Sequence, residues 1–106
     1  VIQSKTDNGA LRLVAEADFT IEHAQALQQQ LKSQIEAHTG EPVVLDLSAI
    51  HFMDSVGVKL VVGLFKSCQL KSLPLTVEVA SGQILRLLNL CKLSQMLTVK
   101  EVQLNG

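Results

Sequence analysis

The sequence has no tryptophan and no tyrosine, and three phenylalanines are its only aromatic residues. Its core must therefore be aliphatic, drawn from the leucines, valines and isoleucines that dominate a hydrophobic content of 47%. A strong charge of either sign is also missing, since the formal net charge is −1. Direct nucleic-acid binding needs a basic face, and this balance argues against one. No run approaches the length of a membrane span, and the first residues lack the basic-then-apolar order of a secretory signal. The only cysteines are Cys68 and Cys91, both in apolar, helix-like surroundings. Without a Cys-x-x-Cys pair they do not suggest zinc. The expectation is two buried free thiols in a reducing, cytoplasmic setting.

Enzyme signatures are absent too. The chain has no Gly-x-x-x-x-Gly-Lys-Ser/Thr phosphate loop and no Gly-x-Gly-x-x-Gly fingerprint. His23, His38 and His51 show no metal spacing, and no oriented partner makes any of them a catalytic base. Ser55 follows a strand-like run and opens a helix-like one, as a nucleophile elbow does. However, Met53-Asp54-Ser55-Val56-Gly57 lacks the first glycine of Gly-x-Ser-x-Gly, and no C-terminal histidine follows. The expectation is no catalytic residue, no metal, no cofactor and no enzyme activity.

What remains is a clear alternation of elements within 106 residues, a length that fits one domain, 1–106. Leu11 to Ala15 reads as a strand, and Asn8-Gly9 before it marks a hairpin with Val1 to Thr6. Ala24, Leu27, Leu31 and Ile35 recur at spacings of three and four, giving an amphipathic helix that Thr20 caps and Gly40 with Pro42 ends. Val43 to Leu47 is apolar apart from Asp46 and suits a strand covered on both faces. Ser55 to Lys71 reads as a largely buried helix whose polar positions, Ser55, Lys59, Lys66 and Gln69, share a stripe. Leu75 to Val79 is the next strand. Ser81 caps a third helix carrying Ile84, Leu87, Leu88 and Cys91, with His23 and His38 on the first helix facing solvent. Leu97 to Leu104 is the last strand. The order β-β-α-β-α-β-α-β predicts an α/β fold, a single mixed sheet of about four to five strands with helices packed on it.

Asp54-Ser55-Val56-Gly57 falls where a strand hands over to a helix. The first helical turn has unpaired N–H groups and partial positive charge, so either Ser55 or Asp54 is placed to cap it. Val56 and Gly57 leave little bulk beside the hydroxyl, which would let another protein approach. Asp18 begins the first helix. Helix starts share a rim with the carboxyl ends of parallel strands, so Asp18 and Asp54 are expected near each other.

The stretch from Val43 to Val58, Val-Val-Leu-Asp-Leu-Ser-Ala-Ile-His-Phe-Met-Asp-Ser-Val-Gly-Val, resembles the core signature of STAS domains, the anti-sigma factor antagonists and their relatives. Ala15-Glu16-Ala17-Asp18 occupies the place of the family's Gly-Glu-Leu-Asp, and Ser81 to Leu88 looks like its third helix. Ala15 and Ala49 stand where the family commonly has glycine, and no counterpart of its final helix is read. The resemblance implies a non-catalytic binding module. An anti-sigma factor serine kinase would bind the dephosphorylated form, phosphorylate Ser55 and release it, and a phosphatase would reset it. The implied docking surface comprises Asp18, Asp54, Ser55, Val56 and Gly57, with Val58, Lys59 and Val62 along the second helix. Relatives also imply two alternatives: an accessory subunit of a lipid-transport ABC ATPase, or one domain of a larger anion transporter or sensor.

Overall fold

The computed structural model describes residues 2–38 and 40–103. Two strands open the chain, β1 (Ile2–Asp7) and β2 (Ala10–Ala15), paired antiparallel. Asn8 and Gly9 join them with φ of 52° and 77°. Two successive positive φ angles make the primed turn whose twist matches that of the strands, and Asn-Gly is the pair that tolerates them. Three helices and three more strands follow: α1 (Ala24–Glu36), β3 (Val43–Leu47), α2 (Ser55–Leu70), β4 (Leu75–Val79), α3 (Gly82–Leu90) and β5 (Thr98–Glu101). Strands β2 to β5 run parallel, and the sheet order is β1-β2-β3-β4-β5. The α/β class, the mixed five-stranded sheet and the order of elements agree with the sequence reading. Val1 and Leu104, assigned there to the first and last strands, lie outside the described residues.

A sheet whose order never reverses puts every right-handed crossover on the same side. The burial pattern bears this out. In β2, Leu11, Leu13 and Ala15 are buried, and the register aligns Leu11 with Val43 and Leu13 with Leu45. Val43 and Leu45 align in turn with Leu75 and Val77. These side chains share one face. Over them pack Leu27, Leu31 and Ile35 of α1, Val61, Leu64 and Cys68 of α2, and Ile84 and Leu88 of α3. The core is largely aliphatic; among the described residues Phe19 is its one fully buried aromatic, with Phe65 packed against its edge.

The opposite face is not covered, which corrects the reading of β3 as buried on both sides. Val44 and Asp46 are half-buried there, and Asp46 is accommodated by pairing. Arg12 Nη1 donates to Asp46 Oδ2 at 3.0 Å and to Glu78 Oε1 at 2.6 Å, so one guanidinium spans three adjacent strands. Bonding to Glu78, then to Asp46, holds the guanidinium in its charged form more firmly than usual. Burial pushes the Asp46 carboxyl up. Its bonds from the Ser48 hydroxyl and amide and from Arg12 outweigh that and hold it below the ordinary value.

Three further expectations are corrected. Cys68 is buried, but Cys91 is exposed, because α3 ends at Leu90 and Cys91 lies beyond its core-facing stripe. His23 and His38 are half-buried rather than solvent-facing, and His38 Nε2 lies 3.0 Å from the Glu41 carbonyl oxygen. Thr20 precedes a 3-10 turn, Ile21–His23, but its side chain makes no capping bond. That work falls to Asp54, 34 positions away.

Candidate functional site

The carboxyl ends of β2, β3 and β4 point to one rim, where three loops meet. The centre is the junction of β3 and α2. Asp54 is the N-cap of α2, and its Oδ1 accepts N–H bonds from Val56 and Gly57, each at 3.0 Å. Of the two capping candidates, Asp54 therefore takes the role. Its second oxygen, Oδ2, accepts the N–H of Ile21 at 3.1 Å and thereby tethers the turn that Thr20 was expected to cap. One carboxylate thus organises two helix starts. The Gly57 amide, then those of Ile21 and Val56, hold the Asp54 carboxyl below the usual range, so it is ionised at neutral pH.

Asp18 mirrors this arrangement from the other side. Its Oδ1 accepts the amides of His51 and Phe52 at 3.0 and 3.3 Å. Between the two carboxylates the loops form a parallel bridge, Phe19 with Met53. The Phe19 amide donates to the Phe52 carbonyl at 3.3 Å, and the Asp54 amide donates to the Phe19 carbonyl at 3.2 Å. Asp18 and Asp54 do share the rim, as the parallel layer implied. Both are half-buried and have backbone partners, so each supports the site's shape.

Gly57 proves to be an internal residue. A Cβ there would lie 2.2 Å from the Phe19 carbonyl oxygen and 2.5 Å from Met53 Cγ. The missing side chain makes room for the neighbouring loop rather than for a partner, which corrects the steric role assigned to it. Val56, Val58 and Val62 are half-buried, the latter two packed against the core, whereas Lys59 is exposed. The expected polar stripe is present: Ser55, Lys59, Lys66 and Gln69 are all exposed.

Ser55 is the first residue of α2 and is exposed, and its hydroxyl makes no hydrogen bond among the described residues. It needs none, because Asp54 already serves the helix terminus.

The third loop contributes residues that the sequence reading did not assign to the site. Ser81 caps α3 as expected, accepting the Ile84 amide, and its hydroxyl also donates to the His51 carbonyl at 2.9 Å. Gln83 clasps the backbone of Met53, accepting its N–H through Oε1 and donating Nε2–H to its carbonyl, both at 3.0 Å. Nothing in the local sequence marks Gln83 for this, since its partner lies 30 residues away in the chain. Among the described residues, no group of three or more His, Cys, Asp or Glu side chains is placed to hold a metal ion. No helix among them is long and apolar enough to cross a membrane.

The STAS domain family model matches residues 1–103. No curated protein matches the chain. Among solved structures, an anti-sigma factor antagonist from Mycobacterium paratuberculosis is similar at 19% identity and a TM-score of 0.84, covering 94% of this chain and 84% of that one. An anti-sigma-factor antagonist (STAS) domain protein from Planctomyces limnophilus is similar at 11% identity and a TM-score of 0.85, covering 96% and 91%. The Bacillus cell fate determinant SpoIIAA, in its phosphorylated form, is similar at 12% identity and a TM-score of 0.72, covering 97% and 92%. At these identities the likeness is one of fold.

Proposed function

The chain belongs to the STAS domain family, and from that premise we propose that it is a phospho-regulated anti-sigma factor antagonist. In this reading it binds an anti-sigma factor serine kinase while Ser55 is unmodified and is released on phosphorylation, thereby regulating transcription from the cytoplasm. Catalysis belongs to the kinase and to a phosphatase that resets the serine; the protein itself binds and needs no cofactor. The observation that carries this reading is the free, exposed Ser55 hydroxyl at the start of a helix capped by a different residue. Because Asp54 caps the helix, the Ser55 hydroxyl is unengaged among the described residues and open to a phosphoryl donor.

The switch follows from charge. The Ser55 oxygen attacks the γ-phosphorus of ATP, the bond to the leaving ADP breaks, and the hydroxyl proton passes to a base of the kinase. The new group brings about −1.5 to −2 charges at neutral pH. The positive end of α2 tolerates an anion, so the fold survives. However, the Val56 and Gly57 amides are already committed to Asp54. The phosphate therefore stands beside an ionised carboxylate with little local compensation, and it faces the phosphates of the partner's nucleotide. Like charges repel across the contact, and each 1.4 kcal/mol of lost binding is about a tenfold loss of affinity. Ser55, Val56 and Lys59, with the half-exposed Val58 and Val62, form the contact surface; Asp18 and Asp54 hold its shape, and Gly57 supports it from within.

The test uses purified anti-sigma serine kinases, each incubated with the protein and magnesium ATP, with the phosphate located by mass spectrometry. Modification is expected on Ser55. Ser55→Ala should bind the kinase and stay unmodified, and Ser55→Asp should bind at least about tenfold more weakly. A Ser55→Asp variant that bound as tightly as the parent would refute the switch.

A further inference from the structure

The described surface carries five large, exposed apolar side chains: Ile21, Phe52, Leu70, Leu90 and Met96. Their positions divide sharply. Leu70 and Leu90 end α2 and α3, and Met96 precedes β5, so all three lie toward the end of the molecule opposite Ser55. Ile21 and Phe52 belong to the two loops clasped around Asp54, and they are 69% and 48% exposed. Scattered surface hydrophobics need no explanation, but two that are fixed at one site do.

Both are held outward by their backbones. The Ile21 amide is tied to Asp54 Oδ2, and the turn it starts buries none of its residues. Phe52 is fixed on both sides, its amide on Asp18 and its carbonyl on the Phe19 amide. Met53, the next residue in this bridged segment, is fully buried. Successive side chains of an extended segment alternate, so sending Met53 inward sends Phe52 outward. Neither loop can draw its apolar residue in without breaking bonds to Asp18 or Asp54. A surface prepared in this way loses little entropy when a partner covers it.

The surrounding charge points to the partner. Residues 16–23 and 49–56 contain Glu16, Asp18, Glu22 and Asp54 but no lysine or arginine, and the exposed cations nearby in the chain, Lys59 and Arg86, lie about a turn further along α2 and α3, so carboxylates outnumber cations at this rim. A phosphoryl-transferring partner carries cations around its nucleotide; those at the phosphates are neutralised by them, and those at the edge of the site face the rim rather than Ser55. An acidic rim complements them. We propose that Ile21 and Phe52 are the apolar anchors by which the Ser55 kinase grips this protein, entering apolar recesses of a kinase surface whose rim is basic. This rests on the function proposed above and adds the residues that decide which kinase fits. Central apolar anchors ringed by polar contacts carry most of the energy in protein interfaces.

The experiment compares steady-state phosphorylation of the full chain by the kinase that modifies Ser55 in the wild type. Ile21→Ser and Phe52→Ser are each expected to raise KM at least about tenfold, and the double variant about a hundredfold, with kcat within about twofold. Ile21→Val and Phe52→Leu should restore KM, and Leu70→Ser should leave it unchanged. Thermal melts of all variants should coincide, because both side chains are exposed. An unchanged KM in the double variant, with Ser55 still modified, would overturn the anchors and leave the function standing. So would a wild-type dimer, seen by sedimentation, that the double variant abolishes without a change in KM. If no kinase modifies wild-type Ser55, the function fails and the anchors fail with it.

Discussion

A Cβ placed on residue 57 would sit within 2.8 Å of three atoms of Phe19 and Met53, one of them a backbone oxygen that cannot swing aside. Gly57→Ala is therefore expected to destabilise the fold by about 1–3 kcal/mol, read by urea denaturation, because overpacking forces backbone shifts. Gly63 lies in the same helix with open space at its Cβ position. Gly63→Ala should be neutral or stabilising by up to about 1 kcal/mol. Asp54 offers a second residue-level test. Its folded carboxyl ionises more readily than an ordinary one. The stability it contributes is therefore fully present above the ordinary carboxylate range and is lost as pH falls through the depressed folded value. Asp54→Asn keeps a capping oxygen but cannot titrate. Thermal melts between about pH 7 and 3 should show a shallower acid limb for the variant than for the parent; superimposed acid limbs would contradict this account.

At the level of elements, Arg12 bridges two carboxylates on the open face of the sheet, which the register also lines with Lys5 and Lys100. Asp46 and Glu78 face each other in register on β3 and β4, and like charges directly opposite are unfavourable without Arg12 between them. Their side chains are 15% and 13% exposed, and that of Arg12 is 20% exposed. Arg12→Met should therefore cost about 2 kcal/mol, less than the 3–5 kcal/mol of a fully buried pair. The loss should shrink as pH falls through the acid range, where Asp46, whose carboxyl the Ser48 and Arg12 bonds hold below the ordinary value, protonates. Equal destabilisation at pH 7 and pH 3 would argue against the electrostatic cause. This cluster also shows where sequence reading stops. Asn8-Gly9 and Ser81 were legible because their chemistry acts within three residues. Asp46 was visible as a polar residue in an apolar strand, but its partners at positions 12 and 78 become neighbours only through register. Thr20 misled for the same reason: its local claim to a cap was overridden by Asp54, which the fold brings alongside. The Asp54-Ser55 junction could be seen in the chain. The Asp18, Ser81 and Gln83 bonds that shape its loop could not.

The molecule as a whole treats its two thiols very differently. Cys68 is fully buried, and burial pushes its thiol up to about 11, whereas Cys91 is exposed. A thiol reagent at neutral pH is expected to modify one cysteine in the native protein and two in denaturant, and peptide mapping should place the first on Cys91. Prompt native labelling of Cys68 would mean that the α2 side of the core opens readily. The reading of both cysteines as buried failed because hydrophobic neighbours in sequence do not reveal where a helix ends.

The spatial order of the strands repeats their order along the chain. Each strand after the first therefore pairs with the one that precedes it in the chain. No strand has to be inserted between two that have paired. The sheet can grow from the N-terminus at the pace of synthesis, one strand at a time, with its growing edge always the last strand made. The rim that carries Ser55 follows the same chain order: the Asp18 loop, then the Asp54 loop, then the segment whose Ser81 and Gln83 bond to it.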